Sequence, residues 1–555
     1  MKDKEYFETD CVVVGGGLSG CVAALELAEA GKKVSLFVKK RLREDSNSYL
    51  LAGGVAAVHE GDSGNGDNCE AHIKNTFSAG KGLNDEKIVD FSIKNFYPGA
   101  IKWLIDRGVL FDKKDGGYSL HKEGGHSHER VFHVQDITGR AIMEKLIDLV
   151  LEKDNIFIYE NYSVVDVLTK KKSDKNYSGE DYVLGVYVYD EEKKIVKTFS
   201  SRGVFLATGS LGKIFLYTSN SDVATGDGFA MAYRMGLPLA NMEFIQFHPT
   251  VFYDPNLQNE SERRFLLTEA LRGSGAILKN AKDSSEDFVL RYSELGSKST
   301  RDIVTRAEDL EMREKGLSHV WLDCTPIGGE KIKNEFSNSY EFCLSKGYDI
   351  TKEAIPVVYA VHYSNGGVLV DEKSETSVKG CYVIGETSYT GLHGATRLAS
   401  NSGSECVLFA RVATKDFVER EIGKGEKAPL WNTFDAVEIK DLTVISYYWE
   451  VVRRTMTTLC GVARNKERLL AAKNVLIALK EEVRNHYWNY KITKDFLEVR
   501  NILDVALVVL ESALFREESR ASHYREDFPE PLDDFLGVSI VQDNCETKLK
   551  KGVGK

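Results

Sequence analysis

The run Val12-Val13-Val14-Gly15-Gly16-Gly17-Leu18-Ser19-Gly20 restricts the fold more than any other stretch of the chain. It closes a short apolar strand, Cys11 to Val14, and opens the helical pattern Cys21 to Ala30, after which Lys33 to Val38 reads as a second strand. Strand, glycine turn, helix and strand make a Rossmann-like unit. In the GxGxxG spacing, Gly15 permits the tight turn, Gly17 lets a pyrophosphate approach the backbone, and Gly20 lets the helix pack closely on the sheet. The N–H groups and dipole of that helix then hold the phosphates. One usual feature is missing. The second strand ends at Val38-Lys39-Lys40, with no acid to bond a ribose, which argues against generic NAD binding.

A chain of 555 residues is too long for one compact core. Strand patterns resume at Tyr182 to Tyr189 and Gly203 to Thr208, so the first domain continues to about residue 242; Asp62 to Asn68 and Lys170 to Glu180 read as surface loops within it. From 243 to 358 the pattern changes to irregular segments and short helices, including the charged stretch Arg301 to Lys315, and reads as an insert. Over 359–425 the first domain resumes, with strands at Gly366 to Asp371 and Cys381 to Gly385 and a helix opening near Ser402. Amphipathic patterns such as Thr455 to Val483 and Phe496 to Phe515 predict an all-α domain over 430–555.

The net charge of −11 argues against a general attraction to nucleic acid or anionic lipid. No apolar run reaches bilayer length, and the polar start MKDKEYFETD has no signal core, so a cytoplasmic location is expected and any membrane role would need a partner subunit. The nine cysteines form no CxxC pair and read as reduced structural thiols.

Several motifs, in order, carry a resemblance. They are GGVAAV (53–58), EGGHSHERVFHVQDITGRAI (123–142), ATGSLGKIFLYTSNSDVATGDG (207–228), MEFIQFHPT (242–250), LLTEALRGSGA (266–276), RDIVTRAEDLEM (301–312), HYSNGGV (362–368), GETSYTGLHGATRLASNS (385–402) and ESRASHYREDFP (518–529). Together they resemble the fumarate reductase and succinate dehydrogenase flavoprotein family over nearly the whole chain. The resemblance implies an α/β FAD-binding domain of the glutathione-reductase type, interrupted by an α+β capping domain and followed by the helical domain. It implicates Gly15, Gly16, Gly17, Leu18, Ser19, Lys39, the Ser46, Asn47 and Ser48 loop, Ala52, Gly53, Gly54, Asp227, Glu386, Ser402 and Gly403 at the flavin, mostly through backbone groups. A helix opening near Ser402 would aim its N-terminus at the flavin pyrimidine oxygen. Asn47 stands where membrane-complex relatives carry a histidine joined to FAD, so the FAD is expected to be noncovalent.

By the same resemblance, His248, Thr268, His362 and Arg397 bind substrate carboxylates, with Glu269 and Tyr363 beside them, and Arg301 stands at the reacting carbon as the proton shuttle. Glu123 in EGGHSH resembles the amino acid oxidase branch and offers a carboxylate to a substrate ammonium. The implied reaction is oxidation of L-aspartate to iminoaspartate, with oxygen or fumarate reoxidising the flavin, as the first step of NAD synthesis through quinolinate. Quinolinate synthase is the implied recipient of the product. The alternatives are a soluble fumarate reductase or succinate dehydrogenase flavoprotein, an amino acid oxidase with another substrate, and a flavin-binding scaffold without turnover. The histidines His126, His128 and His133 could suggest a metal, but no acid or cysteine ligand set accompanies them, and none is expected. Four positions depart from the family pattern: Ala52, Asn365, Thr396 and Gly403.

Overall fold

The computed structural model describes residues 5–43, 46–59, 66–254, 263–420 and 426–551; most of the expected loop Asp62 to Asn68 lies outside them. The strand Cys11–Val14 is buried throughout and lies in the middle of a five-stranded parallel sheet. Its order is Cys381–Val383, Gly203–Leu206, Cys11–Val14, Val34–Val38 and Ile156–Glu160. Strands covered on both faces carry apolar side chains at every position, which is why they read as continuous runs. Helix Leu18–Glu29 returns against this sheet. A Cβ on Gly20 would stand 1.9 Å from the Gly15 carbonyl oxygen, and one on Gly15 would stand 2.2 Å from that of Ala207. The strand Cys381–Val383 closes one edge, so the chain re-enters the first sheet after its insert.

Beside this sheet, Tyr162–Thr169, Val183–Asp190 and Ile195–Ser200 form an antiparallel meander that Tyr6–Glu8 extends in parallel. The polar stretch after Thr169 connects its first two strands and begins with one helical turn, Lys170–Ser173.

In the insert, four antiparallel strands pair in the order Ile245–Phe252, Ile355–Ser364, Val320–Asp323, Ile277–Lys279, with helix Arg301–Lys315 against the first. The two long strands are absent from the pattern reading of this region because they are almost wholly buried and so lack polar alternation. Strand Ile355–Ser364 runs through position 358, the expected end of the insert.

Three helices, Thr443–Leu459, Lys466–Asn489 and Lys494–Phe515, make up the C-terminal region. The amphipathic pattern Thr455 to Val483 is two helices: the first ends at Cys460, and the Asn465 side chain caps the second by accepting from the Arg468 amide at 3.0 Å. After them, Val538–Val541 and Lys548–Lys550 extend a sheet through Leu239–Ala240. These strands are too short for periodicity to reveal, and partner hydrogen bonds define them. Arg516 and Glu243, both fully buried, form an ion pair that ties this region to the start of the insert; Arg516 also meets Glu518 at 2.8 Å. Among the described residues no helix is long and apolar enough to cross a membrane.

Candidate active site

A cleft opens at the carboxyl ends of the parallel strands, where such sheets bind nucleotides. Gly15, Gly16, Gly17, Leu18, Ser19, Lys39, Ser46, Asn47, Ser48, Asp227 and Glu386 line it. Helices Leu18–Glu29 and Asp227–Arg234 begin at Gly17 and Gly226, which supply no side-chain cap; Gly228 already donates to Thr208 Oγ1 at 3.0 Å, so phosphate oxygens would be met by the other first-turn amides. The amide of Leu18 is bonded by Ser48 Oγ at 2.9 Å, which fixes the 46–48 loop over the glycine turn. Asn47 Oδ1 accepts from the Ser221 amide at 2.7 Å. A long, glycine-floored groove of this kind fits a dinucleotide such as FAD.

Lys39 behaves as a tie and not as a free cation. Its Nζ lies 2.8 Å from both Asp227 and Glu498 and 2.5 Å from Thr225 Oγ1. Burial alone would discharge the ammonium, but the two carboxylates outweigh it and hold Lys39 above the ordinary lysine range. The two carboxylates that neutralise Lys39, Asp227 and Glu498, come from elsewhere in the chain. Glu498 escaped sequence reasoning because helix Lys494–Phe515 reads as core.

Ala52, Gly53, Gly54, Ser402 and Gly403 do not line this cleft. Ser402, which accepts from Arg397, and Gly53, which faces Glu123, border a neighbouring group of polar side chains that combines the body with the insert, whereas Gly54 lies against Val131 and Phe132 and Gly403 against Val55. His248 and His362 lie on paired strands with ring centres 5.8 Å apart. The Thr250 amide donates to His248 Nδ1 at 3.2 Å, which assigns the ring proton to Nε2. Burial, then the charges of Arg301 and other cations, holds both rings well below the usual histidine range, so both are neutral. His362 Nδ1 lies 2.9 Å from Ser219 Oγ.

Arg397 sits over the Tyr363 ring, 4.1 Å from its centre. Its Nη1 donates to Ser402 Oγ at 2.6 Å and its Nη2 to Gln246 Oε1 at 3.3 Å, while its solvent-shielded Nε has no acceptor. A shielded guanidinium with neutral acceptors and one vacant donor is set for an anion. Arg301 opens its helix and donates through Nε to Glu269. Thr268 caps the short helix Glu269–Gly273 by accepting from the Ala270 amide at 3.4 Å. Glu269 also stands 3.5 Å from Nη2 of Arg272, whose Nη1 donates to the carbonyls of Ser297 and Ser299 at 2.8 and 3.1 Å. Arg272 lies in the quoted LLTEALRGSGA motif, yet nothing in the sequence distinguishes it from an ordinary helix arginine.

Glu123 accepts from Ser400 Oγ at 2.5 Å and lies 3.8 Å from His121 Nε2. Burial favours its neutral form, but those two partners and the Arg301 charge outweigh burial and keep the carboxyl below its usual range. Gly53 makes the space: a Cβ there would stand 2.2 Å from Glu123 Oε1. Asn365, one of the four departures, braces Arg397 by accepting its backbone amide at 2.8 Å and donating to the Phe244 carbonyl at 3.0 Å. At Gly403 a Cβ would lie 2.5 Å from Val55 Cγ1, so a larger residue there would have to displace that side chain. Thr396 bonds only its neighbour's carbonyl, at 2.7 Å, and Ala52 is exposed. The three histidines of the EGGHSH region serve separate partners: His126 faces the Ala399 carbonyl at 2.9 Å, His128 lies 3.6 Å from Asp67 and His133 lies 3.3 Å from Asp112. Among the described residues no group could hold a metal ion.

Comparison with known proteins adds names to this geometry. Residues 10–402 match the FAD binding domain model, and residues 450–552 match the fumarate reductase flavoprotein C-terminal model. The chain is 39% identical over 547 residues to the L-aspartate oxidase of Pseudomonas aeruginosa, covering 97% of this chain and 98% of that one. A chloroplastic L-aspartate oxidase of Nicotiana tabacum is 37% identical, with 94% of this chain and 81% of that one covered. Among solved structures, the E. coli quinol fumarate reductase flavoprotein chain superposes with a TM-score of 0.84 at 27% identity, covering 98% of this chain and 96% of that one. With its nucleotide groove, its insert and its C-terminal helices all accounted for, the chain belongs to the L-aspartate oxidases of the fumarate reductase and succinate dehydrogenase flavoprotein family.

Proposed function

We propose that the chain oxidises L-aspartate to iminoaspartate with noncovalent FAD and that oxygen or fumarate reoxidises the flavin. One observation carries this reading: an ionised carboxylate, Glu123, stands within the field of Arg301, in the same group of side chains as Arg397, His248 and His362. An amino dicarboxylate presents two carboxylates and one ammonium, which is the complement of that set; succinate and fumarate leave Glu123 without a cation.

FAD, when bound, supplies the acceptor for the electron pair of the substrate Cα–H bond. The residues lining the glycine groove would hold its nucleotide end, with Ala52, Gly53, Gly54, Ser402 and Gly403 bordering the ring system. Arg397 and His362, with Thr268, hold one substrate carboxylate, the Arg397 Nε gaining the acceptor it lacks. His248, neutral and with its proton on Nε2, donates to the other. Glu123 receives the ammonium. Arg301 handles the proton, and Glu269 makes that feasible. A guanidinium normally keeps its proton, but one bonded to a carboxylate can pass a proton on and regain one along the contact. Arg272 continues the path beyond Glu269.

The product imine hydrolyses in water. That lability supports transfer to quinolinate synthase in the cytoplasm, as the opening of NAD synthesis. Anaerobic mixing tests the reading: L-aspartate bleaches the oxidised flavin absorbance of the purified yellow protein. Bleaching by succinate alone overturns it in favour of a soluble succinate dehydrogenase or fumarate reductase.

A further inference from the structure

Arg397 lies outside helix and strand, so its guanidinium is aimed from a loop backbone. The Arg397 Cα shares one peptide plane with its own N–H, and the plane before it runs from the Ala395 carbonyl to Thr396. Holding a polar group in each plane restrains φ and ψ of Thr396, the hinge between them. Side chains hold both. The Arg397 N–H donates to Asn365 Oδ1 at 2.8 Å, while the Ala395 carbonyl accepts from Thr396 Oγ1 at 2.7 Å and from Ser522 Oγ at 2.9 Å. Asn365 and Thr396 are two of the four departures from the family pattern. Ser522 comes from the C-terminal region.

Ser522 sits in a tight turn in which Arg520 and His523 exchange both backbone hydrogen bonds, at 2.8 and 3.0 Å. The base of the turn is fixed from inside the protein: the fully buried His523 ring lies 2.8 Å from Arg464 Nη1 and 3.1 Å from the Arg516 carbonyl. Ala521, at φ +47°, is left-handed, which is costly for a residue with a Cβ, and it packs against Leu83, Phe244 and Ala395. A backbone kept in that region points to a function for what it carries. From a second element, the Gly80 carbonyl accepts the Ala395 N–H at 3.0 Å, and Arg520 Nη1 donates to the Lys81 carbonyl at 3.0 Å. The Arg397 loop is thus held by two turns that are also bonded to each other. Of these contacts, the Ser522 hydroxyl is the one that can be removed without touching the backbone bonds of either turn.

We propose that Ser522 is a positioning residue for substrate binding: its hydroxyl fixes the Ala395 peptide and, with Asn365 on the next peptide, sets the point from which the Arg397 side chain reaches the substrate. This role rests on the reading of Arg397 as a carboxylate anchor. The C-terminal region thereby takes part in the affinity for dicarboxylates without touching one. Arg397 meets a carboxylate that L-aspartate and fumarate share, so loss of the hydroxyl weakens both ligands alike. A change at Glu123, by contrast, concerns the ammonium alone.

The test compares wild type, Ser522→Ala and Ser522→Thr as FAD-loaded full chains. Fumarate has no electrons to take from an oxidised flavin, so calorimetric titration of the oxidised protein with fumarate reads binding without turnover. In Ser522→Ala the fumarate Kd and the L-aspartate KM each rise about fivefold, as the loss of one neutral hydrogen bond allows, with kcat within about twofold and the melting temperature unchanged. Ser522→Thr, which keeps the hydroxyl, stays near wild type. An unchanged Kd in Ser522→Ala overturns the proposal, as does a loss confined to kcat or to melting temperature, or one that Ser522→Thr does not repair. If Ser522→Ala does not fold, Ser522→Val against Ser522→Thr compares nearly the same shape without and with the hydroxyl, and equal fumarate Kd values overturn the proposal. A fumarate Kd that shifts as expected in a protein that leaves L-aspartate unoxidised refutes the substrate assignment and leaves the role of Ser522 standing.

Discussion

Replacing Glu123 by Gln isolates what the Glu123 carboxylate does. The amide keeps the size of the side chain and can still meet Ser400 Oγ, which lies 2.5 Å from the present oxygen. What disappears is the negative charge. A hydrogen bond to a charged group contributes about 1.5–3 kcal/mol, so kcat/KM for L-aspartate should fall roughly 10- to 150-fold. Fumarate carries no ammonium, and its reduction should change less than about threefold, well under a kcal/mol. Anaerobic stopped-flow bleaching by L-aspartate and fumarate-dependent reoxidation of the reduced enzyme measure the two sides separately. Equal losses in both would remove Glu123 from ammonium recognition. pH adds an independent check. His121, Ser400 and Arg301 together outweigh burial and depress the Glu123 carboxyl, so its anion persists as pH falls through the ordinary carboxylate range. The stability it contributes is full above that range, falls as pH drops from there through the depressed value and is gone below it, whereas binding through the anion is lost only as pH passes the depressed value. The side-chain carboxylate of L-aspartate titrates in that same range, so the check is the advantage of wild type over Glu123→Gln: losing that advantage already at ordinary carboxylate pH would contradict this.

Gly53→Ala places a methyl group 2.2 Å from Glu123 Oε1 and should lower aspartate kcat/KM at least about tenfold with fumarate reduction largely kept; matching losses would show a general disturbance of the site instead. Arg516→Met strands the fully buried Glu243 with Ser539 as its remaining side-chain partner and should cost about 3–5 kcal/mol, read from urea unfolding, with much of it recovered when Glu243 is also replaced by Met. Glu386, pushed up to about 7 chiefly by burial, contributes stability that is full below the ordinary carboxylate pKa and is lost as pH rises through about 7. In FAD-free protein, Glu386→Gln should therefore flatten the fall in melting temperature across that window, and an unchanged slope would refute the assignment.

The parts of the fold that local chemistry dictates were legible. The glycine turn needs its spacing wherever it occurs, and helix Arg301–Lys315 matches the charged stretch residue for residue, with Gly316 ending it. Strands Ile245–Phe252 and Ile355–Ser364 were not legible as strands, because burial on both faces removes the alternation that marks one. At the site, motif residues such as Glu123 and Arg397 could be named from the resemblance, but their supports could not. Asn365 reads as a lost cysteine until its side chain is seen holding the Arg397 amide. Ser400 and Gln246 are ordinary polar residues in sequence, and distance alone gives them a part.

The tie at Lys39 bears on when the protein can take up its cofactor. Lys39 ends the second strand of the fold, whereas Glu498, and Asn501, which donates to Asp227 at 2.9 Å, lie on the last long helix. During synthesis the glycine turn leaves the ribosome early, but this wall of its groove is finished only after residue 501 has emerged. Such distant pairings are slow to form. A chain cut before that helix should therefore retain FAD less firmly than the full chain, and equal flavin content after gel filtration would refute a part for the tie in holding the cofactor.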